Sequence, residues 1–290
     1  MKILSLGSTH QLSKEFRHAT VALCVALPFA LAACTKNAPE ESPLTDEQAV
    51  QGLCLYGCPA GAPTSNRTVD HAVLVLSNNG QTKFADWVAY RITRECIGPT
   101  RDRNWHADPD LPKDETLRPS DYKGIRAALN ADRGHQAPLA SLTGCPGSKV
   151  ADYLSNITPQ AMDLNAGAWE RLEEAERKLA KQPDVETVYS ITGPLYERAM
   201  PKLPRAHLDH TVPSGYWKIV AIRQNGQTVV AAFIMDQNTP RRDNFCAHTA
   251  TMRDVESRAR LNFFPGMPQP AQEQIETAKG ALLPALGCPG

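Results

Sequence analysis

A chain of 290 residues with 42% hydrophobic and 21% charged side chains is not a disordered polymer, and it is long enough to bury one large core or two small ones. Its 31 basic and 31 acidic side chains cancel, which excludes a polycation. Any contact with nucleic acid would have to come from a local cluster of Arg and Lys.

The first 33 residues read as a targeting segment. Lys2, Lys14 and Arg17 give a positive start, and residues 20–31 form an apolar stretch too short to span a bilayer comfortably. The stretch ends in Leu31-Ala32-Ala33-Cys34, the pattern of a bacterial lipobox, which would place a lipid on Cys34. Ala30-Leu31-Ala32 also fits an ordinary secretory cleavage site. Residues 34–49 are polar, contain two prolines and read as a flexible tether. The expectation is an exported protein, lipid-anchored to the bacterial envelope and facing the periplasm or the outside. Thr35 after Cys34 leans towards the outer membrane.

Of the eight cysteines, Cys24 leaves with the signal and Cys34 would carry lipid. Cys54, Cys58, Cys96, Cys145, Cys246 and Cys288 remain, an even number that in an exported chain reads as three disulfides. Zinc on Cys54-x-x-x-Cys58 lacks a second ligand pair at suitable spacing.

Residues 71–77 and 83–93 are rich in β-branched and large apolar side chains and flank Asn78-Asn79-Gly80, so they predict a hairpin. Residues 97–122, rich in Pro, Asp and Arg without a steady period, predict a long loop of functional length. In residues 166–181, Trp169, Leu172, Ala175 and Leu179 recur at helical spacing, with Asn165 at the expected N-cap and Pro183 past the end. A strand is expected over 187–192, a second hairpin over 216–222 and 228–235 about Asn225-Gly226, and a helix over 252–261. Strands with a few helices and no βαβ alternation predict an α+β fold with a largely antiparallel sheet, built as one domain over 50–290.

Cleaving a phosphodiester needs a base for water, a cation for charge on the phosphorane and leaving oxygen, and further positive charge to hold the phosphate. His135, at the end of Asp132-Arg133-Gly134-His135, can be that base, although a lone histidine is more often structural. Asn165 can be an N-cap or an oxygen ligand to Mg²⁺, an ion that keeps most of its waters. Glu173 and Arg177 stand at i, i+4 and read, taken alone, as an exposed salt bridge. His207-x-x-His210 beside Asp209 lacks a third ligand and reads as structural. His248 reads as a surface histidine beside half a disulfide, and Trp87, Trp169 and Trp217 as core residues.

Six ordered blocks carry a resemblance. They are Asp132-Arg133-Gly134-His135-Gln136-Ala137-Pro138, Ser155-Asn156-Ile157-Thr158-Pro159-Gln160, Leu164-Asn165-Ala166-Gly167-Ala168-Trp169 with Leu172-Glu173, Val188 to Tyr196, Pro213 to Lys218, and Phe233 to Asn238. With Arg103-Asn104-Trp105 upstream, the chain resembles the DNA/RNA non-specific endonuclease family over nearly all of 50–290, closest to a secreted bacterial member.

The resemblance implies the ββα-metal fold, with a mostly antiparallel central sheet flanked by helices and long loops. It implies His135 as general base, Asn165 as the direct Mg²⁺ ligand and Glu173 as the carboxylate on metal-bound water. Arg103 would hold the scissile phosphate or stabilise the transition state, and Arg133, Asn156 and Arg177 would line the site. The cofactor is then Mg²⁺, with Mn²⁺ as the alternative. The substrates are DNA and RNA without sequence preference, and the products carry 5′-phosphate ends. The resemblance also implies disulfides Cys54–Cys58 and Cys246–Cys288. That leaves Cys96 and Cys145 to pair with each other or to stay as thiols. It admits a homodimer, which no residue pattern here decides. The competing reading is an envelope lipoprotein that binds nucleic acid without cutting it.

Overall fold

The computed structural model describes residues 52–289; the targeting segment, the tether and Cys34 lie outside them. Nine strands form within this span. Seven make one antiparallel sheet in the order β1-β2-β3-β6-β7-β8-β9, and β4 pairs with β5 in a separate two-stranded ribbon. The first three strands are β1 (Arg67–Asp70), β2 (Leu74–Asn79) and β3 (Phe84–Ile92). The ribbon is β4 (Ala131–His135) and β5 (Ile157–Ala161). The sheet then continues through β6 (Val188–Leu195), β7 (Gly215–Gln224), β8 (Gln227–Asp236) and the short β9 (Thr249–Ala250).

The helices are α1 (Ile125–Leu129), α2 (Glu170–Leu179), α3 (Met252–Ala259) and α4 (Gln269–Thr277). Both expected hairpins form. Asn225 and Gly226 turn the second with φ of 51° and 75°, the two positive values that a tight turn matching strand twist requires.

Both faces of the sheet are covered, so its central strands alternate between two cores instead of between core and water. On β3, Val88, Tyr90 and Ile92 enter one core and Trp87 and Ala89 the other. On β7, Tyr216, Val220 and Ile222 oppose Trp217, Ile219 and Ala221 in the same way. The first core is closed by Trp169, Leu172 and Leu179 at and along α2, and the second by Met252 and Val255 of α3. Burying each such side chain contributes on the order of 1.5–3 kcal/mol. The three tryptophans expected in the core are there, at 3% exposure or less.

A third, smaller core of Phe84, Leu117, Tyr122, Ile125, Leu154 and Ile157 lies beneath the long loop and the ribbon. Residues 97–122 contain no helix or strand of their own, yet they are tied down along their length. Cys96 is bridged to Cys145, with Cα atoms 4.5 Å apart. His106 pairs with Tyr153 in an isolated parallel bridge. Asp108, fully buried, takes a 2.8 Å hydrogen bond from His71 and another from Ser155. Burial alone would raise the Asp108 pKa; the bonds from His71 and Ser155 outweigh it and hold the carboxyl below its ordinary value. The other two disulfides are Cys54–Cys58 and Cys246–Cys288, the two pairs that the resemblance implies, and the Cys96–Cys145 bond settles the pairing that the sequence left open.

Candidate active site

The ribbon sets up the site. Antiparallel pairing of His135 with Ile157 and Arg133 with Pro159 puts the arginine and the histidine on one face of β4, two residues apart. Gly134 lies between them because nothing larger fits: a Cβ there would stand 2.4 Å from Gln160 Oε1 and 2.6 Å from Gln160 Cβ, across the strand pair. We expect Gly134→Ala to cost about 1–3 kcal/mol of stability through overpacking. It should also lower activity by displacing His135, which thermal melts and a cleavage assay of the same preparation would report together.

After β5 the chain does not enter a single helix. Met162–Leu164 is helical, Asn165–Trp169 is a wide turn, and α2 begins only at Glu170. Asn165 is therefore not an N-cap. It has helical backbone angles (φ −59°, ψ −47°) and the break follows it, at Ala166 and Gly167. The break is held from outside. Gly167 packs so closely on Arg241 that a Cβ would lie 2.8 Å from its carbonyl oxygen, and Arg171 donates to the Arg241 and Asp243 carbonyls. Local periodicity could not reveal this, because the packing partner lies some seventy residues away.

Ribbon, turn and α2 enclose a cleft of about 840 Å³ lined by Arg103, Arg133, His135, Asn165, Glu173 and Arg177. Six of the seven implied site residues are thus brought together. Lys123 and Arg126 also line it, so five cationic side chains face three carboxylates, Asp132, Glu170 and Glu173. This is the local positive cluster that a neutral chain needs to meet a polyanion.

The seventh residue, Asn156, is a correction. It is 0% exposed, and its amide is spent on backbone. Oδ1 accepts from Ala137 N at 2.8 Å, and Nδ2 donates to the Ala137 and Ala151 carbonyls. It holds the chain just beyond His135 and does not reach the cleft, since a buried amide with these partners has nothing left for a substrate.

Arg133 is gripped between two rings, its guanidinium 5.4 Å from the centroids of both Trp105 and Tyr122, and it donates to the Pro119 carbonyl at 2.9 Å. Burial lowers its pKa, with Tyr122 opposing. Arg103 is exposed and makes no side-chain hydrogen bond or ion pair among the described residues. Arg177 keeps a buried Nη1 without a partner. Glu173 and Arg177 do not form the i, i+4 ion pair; the helix pair that forms is Glu174–Lys178, at 2.8 Å.

Burial lowers the pKa of His135 below its ordinary 6.5; Asp152 opposes this, and Arg103 and Arg101 reinforce it. The imidazole is therefore neutral at neutral pH and can accept a proton. Burial pushes Glu173 up to about 7, with Lys218 and Arg177 holding it down and Glu176 and Glu170 adding to the rise. Beneath α2, Lys218 and Glu176 form a fully buried ion pair at 3.1 Å.

The donor chemistry fits a hard divalent cation. The Asn165 amide makes no hydrogen bond within the described residues, and neither does the Glu173 carboxylate, although both line the cleft. The titration of Glu173 has a further consequence. An unfolded glutamate ionises near 4.5, whereas this one ionises near 7, so the native state holds the proton more tightly. Native stability without metal therefore falls as pH rises from 4.5 through 7. In EDTA, Glu173→Gln should be more stable than the parent at alkaline pH by about 1–3 kcal/mol, a gain that fades towards acid pH. Equal melting temperatures at alkaline pH would contradict this.

Other candidates resolve as structural. Among the described residues, one His/Cys/Asp/Glu group is close enough to share an ion: His71, Asp108 and Asp110. Its carboxylates face opposite ring nitrogens: the imidazole hydrogen-bonds Asp108 at 2.8 Å and stands 3.6 Å from the exposed Asp110, and none of the three lines the cleft. His207 binds Asp121 at 2.8 Å, and His210 accepts from the Leu203 backbone. Two groups were not legible in the sequence. Asp152 and Glu176 lie in no motif, Lys218 ends a block to which no role was attached, and only the fold brings them to His135 and Glu173.

A family model for DNA/RNA non-specific endonucleases matches residues 53–270. A nuclease from Serratia marcescens is 48% identical over 237 residues, covering 81% of this chain and 88% of its own. The mitochondrial nuclease EXOG of Xenopus laevis is 28% identical over 85% of this chain and 70% of its own. Among solved structures, EndoG in its complex with the inhibitor EndoGI superposes with a TM-score of 0.64 at 21% identity, over 76% of this chain and 93% of that one, which is a likeness of fold. With the family model covering most of its length, this chain belongs to the DNA/RNA non-specific endonuclease family.

Proposed function

We propose that the protein is a divalent-metal-dependent endonuclease that hydrolyses DNA and RNA alike and leaves 5′-phosphate ends. The observation that carries this reading is one cleft that holds a neutral buried imidazole, two unpartnered hard-oxygen donors and a ring of arginines.

His135 takes the proton of the attacking water. Arg103, Arg133 and Arg177 hold the phosphate and offset the charge that builds on it, with Arg133 pre-positioned between Trp105 and Tyr122. Asn165 would hold Mg²⁺, and Glu173 would anchor its water shell. When bound, such a cation stabilises charge on the phosphorane and the leaving oxygen. Contacts confined to phosphate read no base, which accounts for the lack of sequence preference. A protein that only bound nucleic acid, the other reading of the sequence, would have no use for a neutral base beside hard-oxygen donors.

The test is digestion of supercoiled plasmid and of single-stranded RNA in Mg²⁺ or Mn²⁺, with and without EDTA. Cleavage of both polymers, abolished by EDTA, is expected. Cleavage that survives EDTA, or no cleavage with either ion, would overturn the reading. We further propose export with a lipid on Cys34, which the mass of the mature N-terminal peptide would reveal.

A further inference from the structure

Asp152 divides its two oxygens. Oδ2 is taken by Arg101 Nη1 at 2.5 Å and by the Asn104 backbone N–H at 2.9 Å. Oδ1 is buried, makes no hydrogen bond, and faces His135 Nε2 at 3.5 Å. That nitrogen is also buried and has no other partner. Two polar atoms desolvated without partners are costly unless they serve each other, and catalytic hydrogen bonds are often long before substrate binds.

The ring cannot turn freely to another arrangement. Trp105 lies against it, with centroids 5.3 Å apart at a 38° tilt. His135 lines the cleft, and its Nδ1 is not among the buried orphaned atoms, so that edge of the ring opens to the cleft.

We infer that Asp152 is the positioning residue of the general base: it accepts a hydrogen bond from His135 Nε2–H and so presents the Nδ1 lone pair to the cleft. This rests on the nuclease reading of the site. In the reaction the water O–H bond breaks and its proton passes to Nδ1. Nε2 keeps its own proton, and Asp152 remains a carboxylate that stabilises the imidazolium formed. Burial works to raise the Asp152 pKa, but His135, the Asn104 N–H and Arg101 outweigh it and hold it at about 2, so the carboxylate stays ionised throughout the working range.

Arg101 has a second role in this arrangement. By sharing Asp152, it moderates how much negative charge the imidazole feels. The other groups facing His135 are Arg103 from the loop and, across the cleft, Glu173 and Arg177 of α2.

Two measurements decide the matter. Long-range ¹H–¹⁵N correlation on the full chain, without substrate or metal, reads the neutral tautomer of His135. The Nε2–H form is expected, and the Nδ1–H form would overturn the inference. The second measurement is the acid limb of kcat/KM against pH. Asp152→Asn keeps an acceptor but removes the charge and should move the limb to lower pH by about one unit. Arg101→Gln should move it the opposite way. A merely structural role would lower activity or stability in both variants and leave the limb in place, and that result would also overturn the inference. If Asp152→Asn does not fold, the tautomer and Arg101→Gln still decide. Failure of the nuclease reading would show differently, as no cleavage by the unsubstituted chain at any pH.

Discussion

Replacing His135 with alanine is expected to lower kcat on both DNA and RNA by about 10²- to 10⁴-fold, the usual contribution of a positioned base. KM should change little, because the arginines that bind phosphate do not depend on His135 for their supports: Arg133 stays between Trp105 and Tyr122. The pH profile supplies the discriminating signature. Activity needs the neutral imidazole and so falls as pH drops through its pKa. Burial lowers that pKa, so the acid limb should lie below the ordinary histidine value and vanish in the alanine variant. Added imidazole, entering the space left by the side chain, should restore part of the rate. A variant that cleaves at the parent rate, or keeps the acid limb, would remove His135 from the chemistry.

The second large effect is on stability. Lys218 is 0% exposed, donates to Tyr90 Oη at 3.0 Å and to Glu176 at 3.1 Å, and lies 4.8 Å from the Trp169 ring centroid. Glu176 is equally buried and accepts from Ser190 at 2.7 Å. Burial alone would discharge Lys218, but Glu176, Tyr90 and Glu173 outweigh it and hold its pKa above the ordinary lysine value. Lys218→Met leaves Glu176 charged, buried and unpaired, which should cost about 3–5 kcal/mol and lower Tm by on the order of 10 °C. The double variant Lys218→Met, Glu176→Leu should recover most of that loss, because an apolar pair of similar volume is often neutral in such a place.

Lys218 also holds down the pKa of Glu173. The single variant, assayed well below its melting temperature, should therefore need more metal for half-maximal activity at neutral pH. A single variant as stable as the parent would show that the pair contributes little.

The position of this ion pair marks the limit of sequence reading. Lys218 lies in a β7 strand whose other members are almost all apolar or aromatic, and Glu176 in a helix rich in charge. Neither neighbourhood identifies the other as its partner, since their pairing crosses from α2 to the sheet. Asp152 is similar. It lies in a short turn of unremarkable composition, and its link to His135 exists only because the 148–152 segment folds back beside the ribbon. Asn156 shows the reverse error. It lies within a recognisable motif and so looked like a site residue, yet its side chain ties backbone together. Motif membership does not say which way a side chain points. The expected helix start at Asn165 failed for a related reason: the pattern of Trp169, Leu172 and Leu179 is real, but close packing of Gly167 on Arg241 breaks the helix before it.

By itself, the sequence determined the α+β class, both hairpins and the third of the helices and, once family resemblance was admitted, two of the three cysteine pairs and six of the residues that meet in the cleft. These are features of local period, turn chemistry or motif, written in residues close together in the chain. Only the tertiary structure decided the break after Asn165, the inward turn of Asn156, and the buried charges that tune His135 and Glu173. Each of these depends on desolvation and on partners far away in sequence, and a pKa or a hydrogen bond is set by what surrounds a group in space.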